Sequence, residues 1–547
     1  MKDTWWLRLA CFLSSDFANK YRQKIQTKTR DDLPVRISAR ETQNIFTMLG
    51  DDAELHDRIY DVQGNFHETY RKIQQAVNDQ QSFKIVVGIS RYNFYCLDAI
   101  INFCFSLYGE TTRIKQPFDI FPVQKIAGRY KKHIKILQKE LKFQNTVILE
   151  YVDDEFSEIL SRLQEQVRLN PLYEREYIRF FSIICEKTFI GPATIVMDLY
   201  HRCNTNCRHC WVHTPVLSQP EEFLNRTIDD NLFHSIIDDA AAMQSNLVIF
   251  QGDGEPLMYE KTIERLRYVR QKGIDAMIFT NGFLLNEKRS LELIDMGVKE
   301  IYCSLPAGTK ETYGRVCPKH INDDFFDQIV ANLKAFVCLR KKQGKEFPRL
   351  IMTHVMHNEN YQDLIQMAKL SVTVDADAAR FYLIRLDDMN MDLKLTTEQV
   401  RNMCGDIGKA EKILNKHGIH FIDNVRFQFE HYNEQTGSWC DDVFLKQGCF
   451  VGWFFCLIPA LTDLSLCCHL RTLGNLKKIR FKDLWFSPEY ERYRRQAKYL
   501  QYNQDVTFVN GVKLGDEHCT HCDNHQTLIN TMDDMKSLGW DRYLNLK

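Results

Sequence analysis

The sequence predicts an α/β protein in three parts. A degenerate Rossmann-like α/β domain spans 1–190, a partial (β/α)6 barrel spans 191–430, and a small cysteine-rich domain spans 431–547. Three observations predict this. Through the middle of the chain, short apolar runs alternate six times with stretches of helical period, the pattern of parallel strands joined by crossover helices. In the first third, two continuous apolar runs, 83–90 and 146–151, also alternate with helical stretches, as fully buried parallel strands do. After residue 430 stand Cys440, Cys449, Cys456, Cys467, Cys468, Cys519 and Cys522, in a stretch with little regular patterning. That combination suits a fold partly held by metal.

Composition narrows the class. The 547 residues carry 71 Lys+Arg against 72 Asp+Glu, a net charge of −1, with 44% hydrophobic and 26% charged residues. This is the mix of a globular protein with several cores, and its charge balance argues against nucleic-acid and membrane partners. The apolar stretch 5–14 is short, broken by Arg8, and has no small-residue cleavage site, so it does not read as a signal peptide. The run 450–468 approaches a membrane span in length, but Pro459 and Asp463 interrupt it; it predicts two buried strands and a turn. The expected setting is cytoplasmic, where clustered cysteines among the 18 present point to metal rather than to disulfides.

The first section opens with about 50 poorly patterned residues, followed by a helix expected at 54–80 and a strand at 83–90. Helices at 92–108 and 124–142 come next, then a strand at 146–151 and an amphipathic helix at 155–169 with Phe156, Leu160 and Leu163 on one face. The turn Gly88-Ile89-Ser90-Arg91 keeps one of the three glycines of a phosphate cradle, so the fold is read as nucleotide-type without a dinucleotide. In the barrel, strands are expected at 195–200, 247–251, 276–280, 299–304, 350–356 and 380–385. Helices are expected near 229–244, 259–272, 286–296, 323–343, 360–370 and 397–417. Function belongs at the C-terminal ends of such strands.

The motifs fall there. After the first barrel strand comes Cys203-Asn-Thr-Asn-Cys207-Arg-His-Cys210. Three thiols in one loop leave a coordination position open, which suits an iron–sulfur cluster; a zinc site borrowing His209 or His213 is the alternative. The second strand ends in Gln251-Gly252-Asp253-Gly254-Glu255-Pro256-Leu257, the third in Thr280-Asn281-Gly282 and the fourth at Ser304, with Asn358 or Asn360 after the fifth. In this order the set resembles the radical S-adenosylmethionine (radical SAM) superfamily.

The resemblance implies a [4Fe–4S] cluster on Cys203, Cys207 and Cys210 that binds S-adenosylmethionine and cleaves it reductively to a 5′-deoxyadenosyl radical. It implies that Gly252, Asp253, Gly254, Glu255 and Pro256 hold the amino group of that cofactor, with Thr280 and Asn281 beside them and Ser304 toward the ribose. His209 stands where the family usually has an aromatic residue over the adenine. Trp211 and His213-Thr214-Pro215 resemble a subgroup that accompanies bacterial polysaccharide and cell-surface pathways.

Past the barrel, Cys449, Trp453, Cys467-Cys468, Leu473-Gly474-Asn475-Leu476, Lys482-Asp483-Leu484-Trp485 and Cys519-Thr-His-Cys522 resemble a SPASM-type auxiliary cluster domain. That implies a second, auxiliary [4Fe–4S] cluster on Cys449, Cys467, Cys519 and Cys522. Cys468 competes with Cys467, and neighbours on a strand face opposite ways. A four-cysteine zinc site is the alternative.

Cys317 is a candidate catalytic residue, a hydrogen-atom donor facing the substrate; a buried thiol is its bland reading. Arg380 and Arg385 bracket the sixth strand on opposite faces, so at most one enters the barrel to clamp a phosphate or carboxylate. The 17 histidines show no metal-site pairing. The expected activity is oxidation or epimerisation of a small-molecule substrate, a sugar or nucleotide sugar, with flavodoxin or ferredoxin as one-electron donor. A peptide- or protein-modifying maturase is the alternative, and a non-catalytic zinc protein the third reading.

Overall fold

The computed structural model describes residues 45–50, 52–60, 62–79, 81, 83–107, 132, 134, 135, 137, 147–151, 153 and 155–544. Residues 1–44, with Cys11, and most of the helix expected at 124–142 lie outside them.

Three parallel strands open the fold in the order β1 (Ile45–Met48), β2 (Lys84–Ile89) and β3 (Val147–Tyr151). The second and third are the two apolar runs. β1 is four residues, IFTM, too short for any periodicity to show. The helix expected at 54–80 is two helices, Ala53–Tyr60 and Asn65–Asn78, parted at Gly64, whose φ of 85° no helical residue adopts. Helix Phe156–Leu169 buries Phe156, Ile159, Leu160 and Leu163. Helix Glu174–Cys185 was not foreseen: from Tyr177 onward every residue is buried, so it has no polar face to mark a helical period.

The turn after β2 is filled by its own side chains. The Arg91 guanidinium donates to Asp153 Oδ2 at 2.6 Å and Oδ1 at 2.7 Å, and Asn93 Nδ2 donates to the carbonyls of Leu49 and Gly88. Arg91 and Asp153 are both buried, at the strand ends where a doubly wound sheet would receive a ligand. Asp153→Ala should destabilise this sheet by about 3 kcal/mol, the lower end for breaking a buried pair, because Glu155 stays with Arg91 at 2.7 Å. Hydrogen exchange should then rise in β2 and β3, with exchange in the larger sheet unchanged.

The larger sheet has ten strands. β4 (Thr194–Met197), β5 (Leu247–Phe250), β6 (Asp275–Thr280), β7 (Glu300–Ser304), β8 (Arg349–Met356) and β9 (Ala378–Leu383) pair in sequence order, all parallel. Intervening helices include Asp230–Ala242, Thr262–Gln271, Glu287–Asp295, Phe325–Lys342 and Leu364–Thr373, and Thr397–Lys416 follows β9. That last helix begins in a reciprocal capping box between Thr396 and Gln399. These are the six β/α units the periodicity implies.

The sheet continues past both of their edges. β10 (His420–Ile422) adds parallel to β9. β11 (Phe455–Ile458) adds parallel to β4, followed antiparallel by β12 (Asp463–Ser465) and β13 (Thr472–Asn475). The apolar run 450–468 is therefore a short helix, Val451–Phe454, then β11, a turn and β12. Among the described residues no helix is long and apolar enough to cross a membrane.

Strand alternation sorts the side chains. Ile195, Met197, Val248, Phe250, Ile278 and Ile301 are fully buried under the helices. Phe279, Tyr302, Arg380 and Tyr382 share the opposite, barrel-interior face and are only half-buried. There the Arg380 guanidinium lies 4.7 Å from the Tyr302 ring, 5.2 Å from Tyr382 and 5.4 Å from Phe279. Arg380 is thus the arginine that enters the barrel.

The cysteine-rich region is bolted on by buried donors: Trp485 Nε1 to the Ile190 carbonyl at 3.0 Å and Trp439 Nε1 to that of Ile384 at 3.1 Å. Glu186, just after the Glu174–Cys185 helix, accepts from Lys498 Nζ at 3.0 Å and Tyr499 Oη at 2.7 Å.

Candidate metal centres and the loops that frame them

The chain leaves β4 at Met197 and turns into the loop that carries Cys203, Cys207 and Cys210. Backbone bonds shape that loop: Cys210 N donates to the Cys207 carbonyl at 3.0 Å, and Arg208 N to that of Val316 at 2.9 Å. The Thr205 hydroxyl lies 3.2 Å from Cys203 Sγ and 3.5 Å from Cys207 Sγ. The N–H groups of His213 and Val212 point at Cys210 Sγ from 3.2 and 3.4 Å. Burial pushes Cys203 up to about 12 and Cys210 to about 11. A neutral thiol is a poor acceptor for such donors, so the donor set fits thiolates held by a metal cation.

Two neighbouring loops close on this one. Gly254 lies so near it that a Cβ there would meet the Tyr200 carbonyl oxygen at 2.3 Å and that of Arg202 at 2.6 Å; at Gly252 it would meet Asp198 Oδ1 at 2.1 Å. Glu255 N donates to the Arg202 carbonyl. The buried Glu255 carboxylate accepts from Thr280 Oγ1 at 2.8 Å, Asn281 N at 2.7 Å and Leu257 N at 3.0 Å. Asn281 Nδ2 reaches Asn204 Oδ1 at 2.6 Å, and Trp211 Nε1 reaches Asp253 Oδ1 at 2.9 Å. Structure thus brings the cysteine loop, Gly252 to Pro256, Thr280 and Asn281 into one hydrogen-bonded assembly. Ser304 ends β7, half-buried.

His209, within the cysteine loop, and Cys317, packed against it, make no hydrogen bond to Gly252 to Pro256, Thr280 or Asn281 among those described. Burial pushes His209 down to about 4; its Nδ1 is buried without a hydrogen-bond partner, and its ring lies 5.7 Å from that of His357. Cys317 is fully buried and its thiol donates to Cys207 Sγ at 3.2 Å, which places it against the cysteine loop rather than in an open pocket.

In the C-terminal region, Cys449, Cys467, Cys468, Cys519 and Cys522 line one cavity together with Arg471. Cys440 and Cys456 are fully buried and do not line it. The expectation that Cys467 and Cys468 face opposite ways needs correcting. β12 stops at Ser465, and both thiols lie in the bend that follows, where pleat alternation no longer applies. The Cys468 thiol beside it and the Arg471 guanidinium draw Cys467 below its ordinary value against the effect of burial. Arg471 donates to Cys467 Sγ at 3.1 Å and to Cys519 Sγ at 3.3 Å. Four or more thiols around one apolar-walled space are the donor set of an iron–sulfur cluster.

Sequence reasoning missed several residues. His201 Nε2 lies 2.6 Å from Asp198 Oδ2 and 3.8 Å from Asp253 Oδ2, and Cys468, His469 and Asp523 form a second close group. The histidines are therefore less isolated than their spacing suggests; Asp198 and His201, three apart after a strand, were the readable signal. Arg385 is the one of the two candidate phosphate or carboxylate clamps that stays outside the barrel. It stacks on Trp211 at 4.5 Å and pairs with Asp523 at 3.2 Å, so it spans from the barrel loop to the C-terminal cysteines.

Residues 197–371 match the family described as Radical SAM superfamily, and residues 449–523 match SPASM, described as Iron-sulfur cluster-binding domain. The tungsten-containing aldehyde ferredoxin oxidoreductase cofactor-modifying protein of Pyrococcus furiosus is 27% identical over 326 residues, 56% of this chain and 85% of that protein. The AdoMet-dependent heme synthase of Methanosarcina barkeri is 25% identical over 325 residues, 57% and 87%. The PqqA peptide cyclase of Bradyrhizobium diazoefficiens is 23% identical over 193 residues, 35% and 46%.

Among solved structures, Streptococcus suis SuiB bound to precursor peptide SuiA aligns over 67% of this chain and 79% of its own, at 16% identity and a TM-score of 0.43. Native anSMEcpe with bound AdoMet and Cp18Cys peptide aligns over 65% and 100%, at 16% and 0.41. The expected small-molecule substrate stands corrected: a peptide cyclase is among the relatives named above, and no sugar-acting enzyme is. Residues 197–371 belong to the radical SAM superfamily and residues 449–523 are a SPASM iron–sulfur cluster-binding domain, so the chain is a radical SAM enzyme.

Proposed function

We propose that this enzyme takes a hydrogen atom from a peptide or protein substrate. In this reading one [4Fe–4S] cluster sits on Cys203, Cys207 and Cys210 and a second on Cys449, Cys467, Cys519 and Cys522. The observation that carries the substrate class is the rim beside the cysteine loop. Trp211, Val216, Met389 and Met391 expose large apolar side chains there. They lie on two loops joined by the ion pair of Arg208 with Asp392 at 2.5 Å. A sugar is gripped by small polar pockets. An extended chain is gripped by apolar and adaptable side chains, methionine above all. The relative named as a peptide cyclase supports the same class.

When bound, the first cluster supplies the one-electron chemistry that opens S-adenosylmethionine to a 5′-deoxyadenosyl radical. The chain's part is positioning. Gly252 to Pro256 would hold the cofactor's amino group, and Glu255 acts by holding that loop to Thr280 and Asn281. Ser304, at the end of β7, would hold the ribose. His209, kept neutral at physiological pH by burial, would cover the adenine. Residues 191–430 would house the first cluster and 431–547 the second.

Glu255→Gln replaces one acceptor with a donor that faces other donors. An unsatisfied buried group costs about 1–3 kcal/mol, so the dissociation constant for S-adenosylmethionine should rise on the order of tenfold or more. Anaerobic calorimetry on the reconstituted protein would read it.

The substrate class is tested by supplying reconstituted enzyme, S-adenosylmethionine and dithionite with either the macromolecular fraction or the filtrate of a cell extract. 5′-Deoxyadenosine is then followed by mass spectrometry. Stimulation by the macromolecular fraction, abolished by prior protease treatment, is the expected result. Protease-resistant stimulation by the filtrate alone would sink the reading.

A further inference from the structure

Arg471 lies in the bend between β12 and β13, four residues after Cys467. It is 2% exposed, and it is held from two sides. Nε donates to the Lys513 carbonyl at 2.9 Å and Nη2 to Asp516 Oδ1 at 2.8 Å. A structural arginine would be satisfied by a carboxylate and a carbonyl. Here two further N–H groups point at sulfur: Nη1 at Cys467 Sγ, 3.1 Å away, and Nη2 at Cys519 Sγ, 3.3 Å away. These two thiols come from distant segments of the chain and line one cavity with Cys449 and Cys522.

We propose that Arg471 sets the reduction potential of the auxiliary cluster, holding it above the value the four thiolates alone would give. This rests on the assignment of Cys467 and Cys519 as ligands in the proposed function. Reduction adds one electron, and so one negative charge, to a cluster whose sulfurs carry much of it. Hydrogen bonds to those sulfurs and a fixed cation beside them stabilise the reduced state more than the oxidised one. Asp516 offsets part of the cation's charge but contacts the guanidinium on Nη2 only, so Nη1 faces Cys467 without a carboxylate on it. Arg471 is a positioning and tuning residue: no substrate atom need touch it.

The test uses the full chain with Cys203, Cys207 and Cys210 all changed to alanine, so that only the auxiliary cluster contributes a signal. After reconstitution, iron is counted and the midpoint is read by dithionite titration with mediators and electron paramagnetic resonance. Arg471→Gln should lower the midpoint by at least about 59 mV, a tenfold fall in the reduced-to-oxidised ratio at fixed poise for a one-electron couple. Arg471→Lys keeps the charge but loses the fork, and should fall between the two.

An unmoved midpoint with iron retained would overturn the proposal while leaving the cluster assignment intact. So would loss of iron from both variants, which would make Arg471 a folding residue only. Absence of iron in the parent protein, before Arg471 is touched, would overturn the ligand assignment itself.

Discussion

Cys203→Ala abolishes dithionite-dependent production of 5′-deoxyadenosine and lowers iron from about eight to about four per chain. The size of the effect follows from the loop. Among the described residues three thiols stand there with donors aimed at their sulfurs; Cys317, which donates to Cys207, is sealed against it and cannot replace Cys203 without unpacking a buried contact. The companion substitution Cys467→Ala should cost the other four iron, while Cys468→Ala should keep them, because the Arg471 fork grips Cys467 and not its neighbour. Iron and sulfide analysis after anaerobic reconstitution separates the cases. Eight iron in Cys203→Ala would show that Cys203 is not a cluster ligand, and four in the unaltered protein would show that one of the two sites holds no cluster.

Glu186→Gln destabilises the folded chain by about 3–5 kcal/mol at neutral pH, with no residue of either cysteine site altered. Glu186 and Lys498 are both buried, and their pair ties the end of the Glu174–Cys185 helix to the Pro488–Lys498 helix of the C-terminal region. Burial alone would raise the Glu186 carboxyl; Lys498 and Arg58 outweigh it and hold the group at about 2 against an ordinary 4.5. A depressed carboxylate contributes stability that is present above the unfolded value and lost as pH falls. The wild-type protein should therefore shed about 3 kcal/mol between pH 4.5 and 2, and the glutamine variant should not shed that share. Urea titrations followed by circular dichroism read both effects. Adding Lys498→Met should recover part of the loss, since the bare ammonium is what makes the single variant costly.

Some of this was readable from the chain and some was not, for identifiable reasons. Cys203 to Cys210, Gly252 to Pro256 and Thr280-Asn281 could be found because each is a local string at the end of an apolar run. The barrel strands could be found because burial makes them continuous. β11 beside β4 was invisible, because a parallel partner is chosen by packing between segments far apart in sequence. Arg471 is one of many arginines until residues 467, 516 and 519 are brought to it. The opposed Cys467 and Cys468 failed on one assumption, that β12 runs through them. The substrate failed differently. A small molecule is expected from a subgroup resemblance in residues 210–215 and the Gly252–Pro256 loop and from the α/β domain in front, yet residues 210–215 shape the rim and encode nothing of what lies across it.

The ladder between β4 and β11 has a consequence for anyone dividing this chain. Phe455 to Ile458 lie in register with Thr194 to Met197, so the strand that leads into one cysteine loop is hydrogen-bonded along its length to the strand that leads into the other. Cutting the chain after residue 430 would not release a module; it would strip a neighbour from β4 and leave a row of bare amides and carbonyls on an apolar strand. Such an edge recruits other chains. The two cysteine sites are therefore one unit of expression and purification, and insoluble material from a truncated gene would report on an uncovered sheet edge rather than on the chemistry of either site.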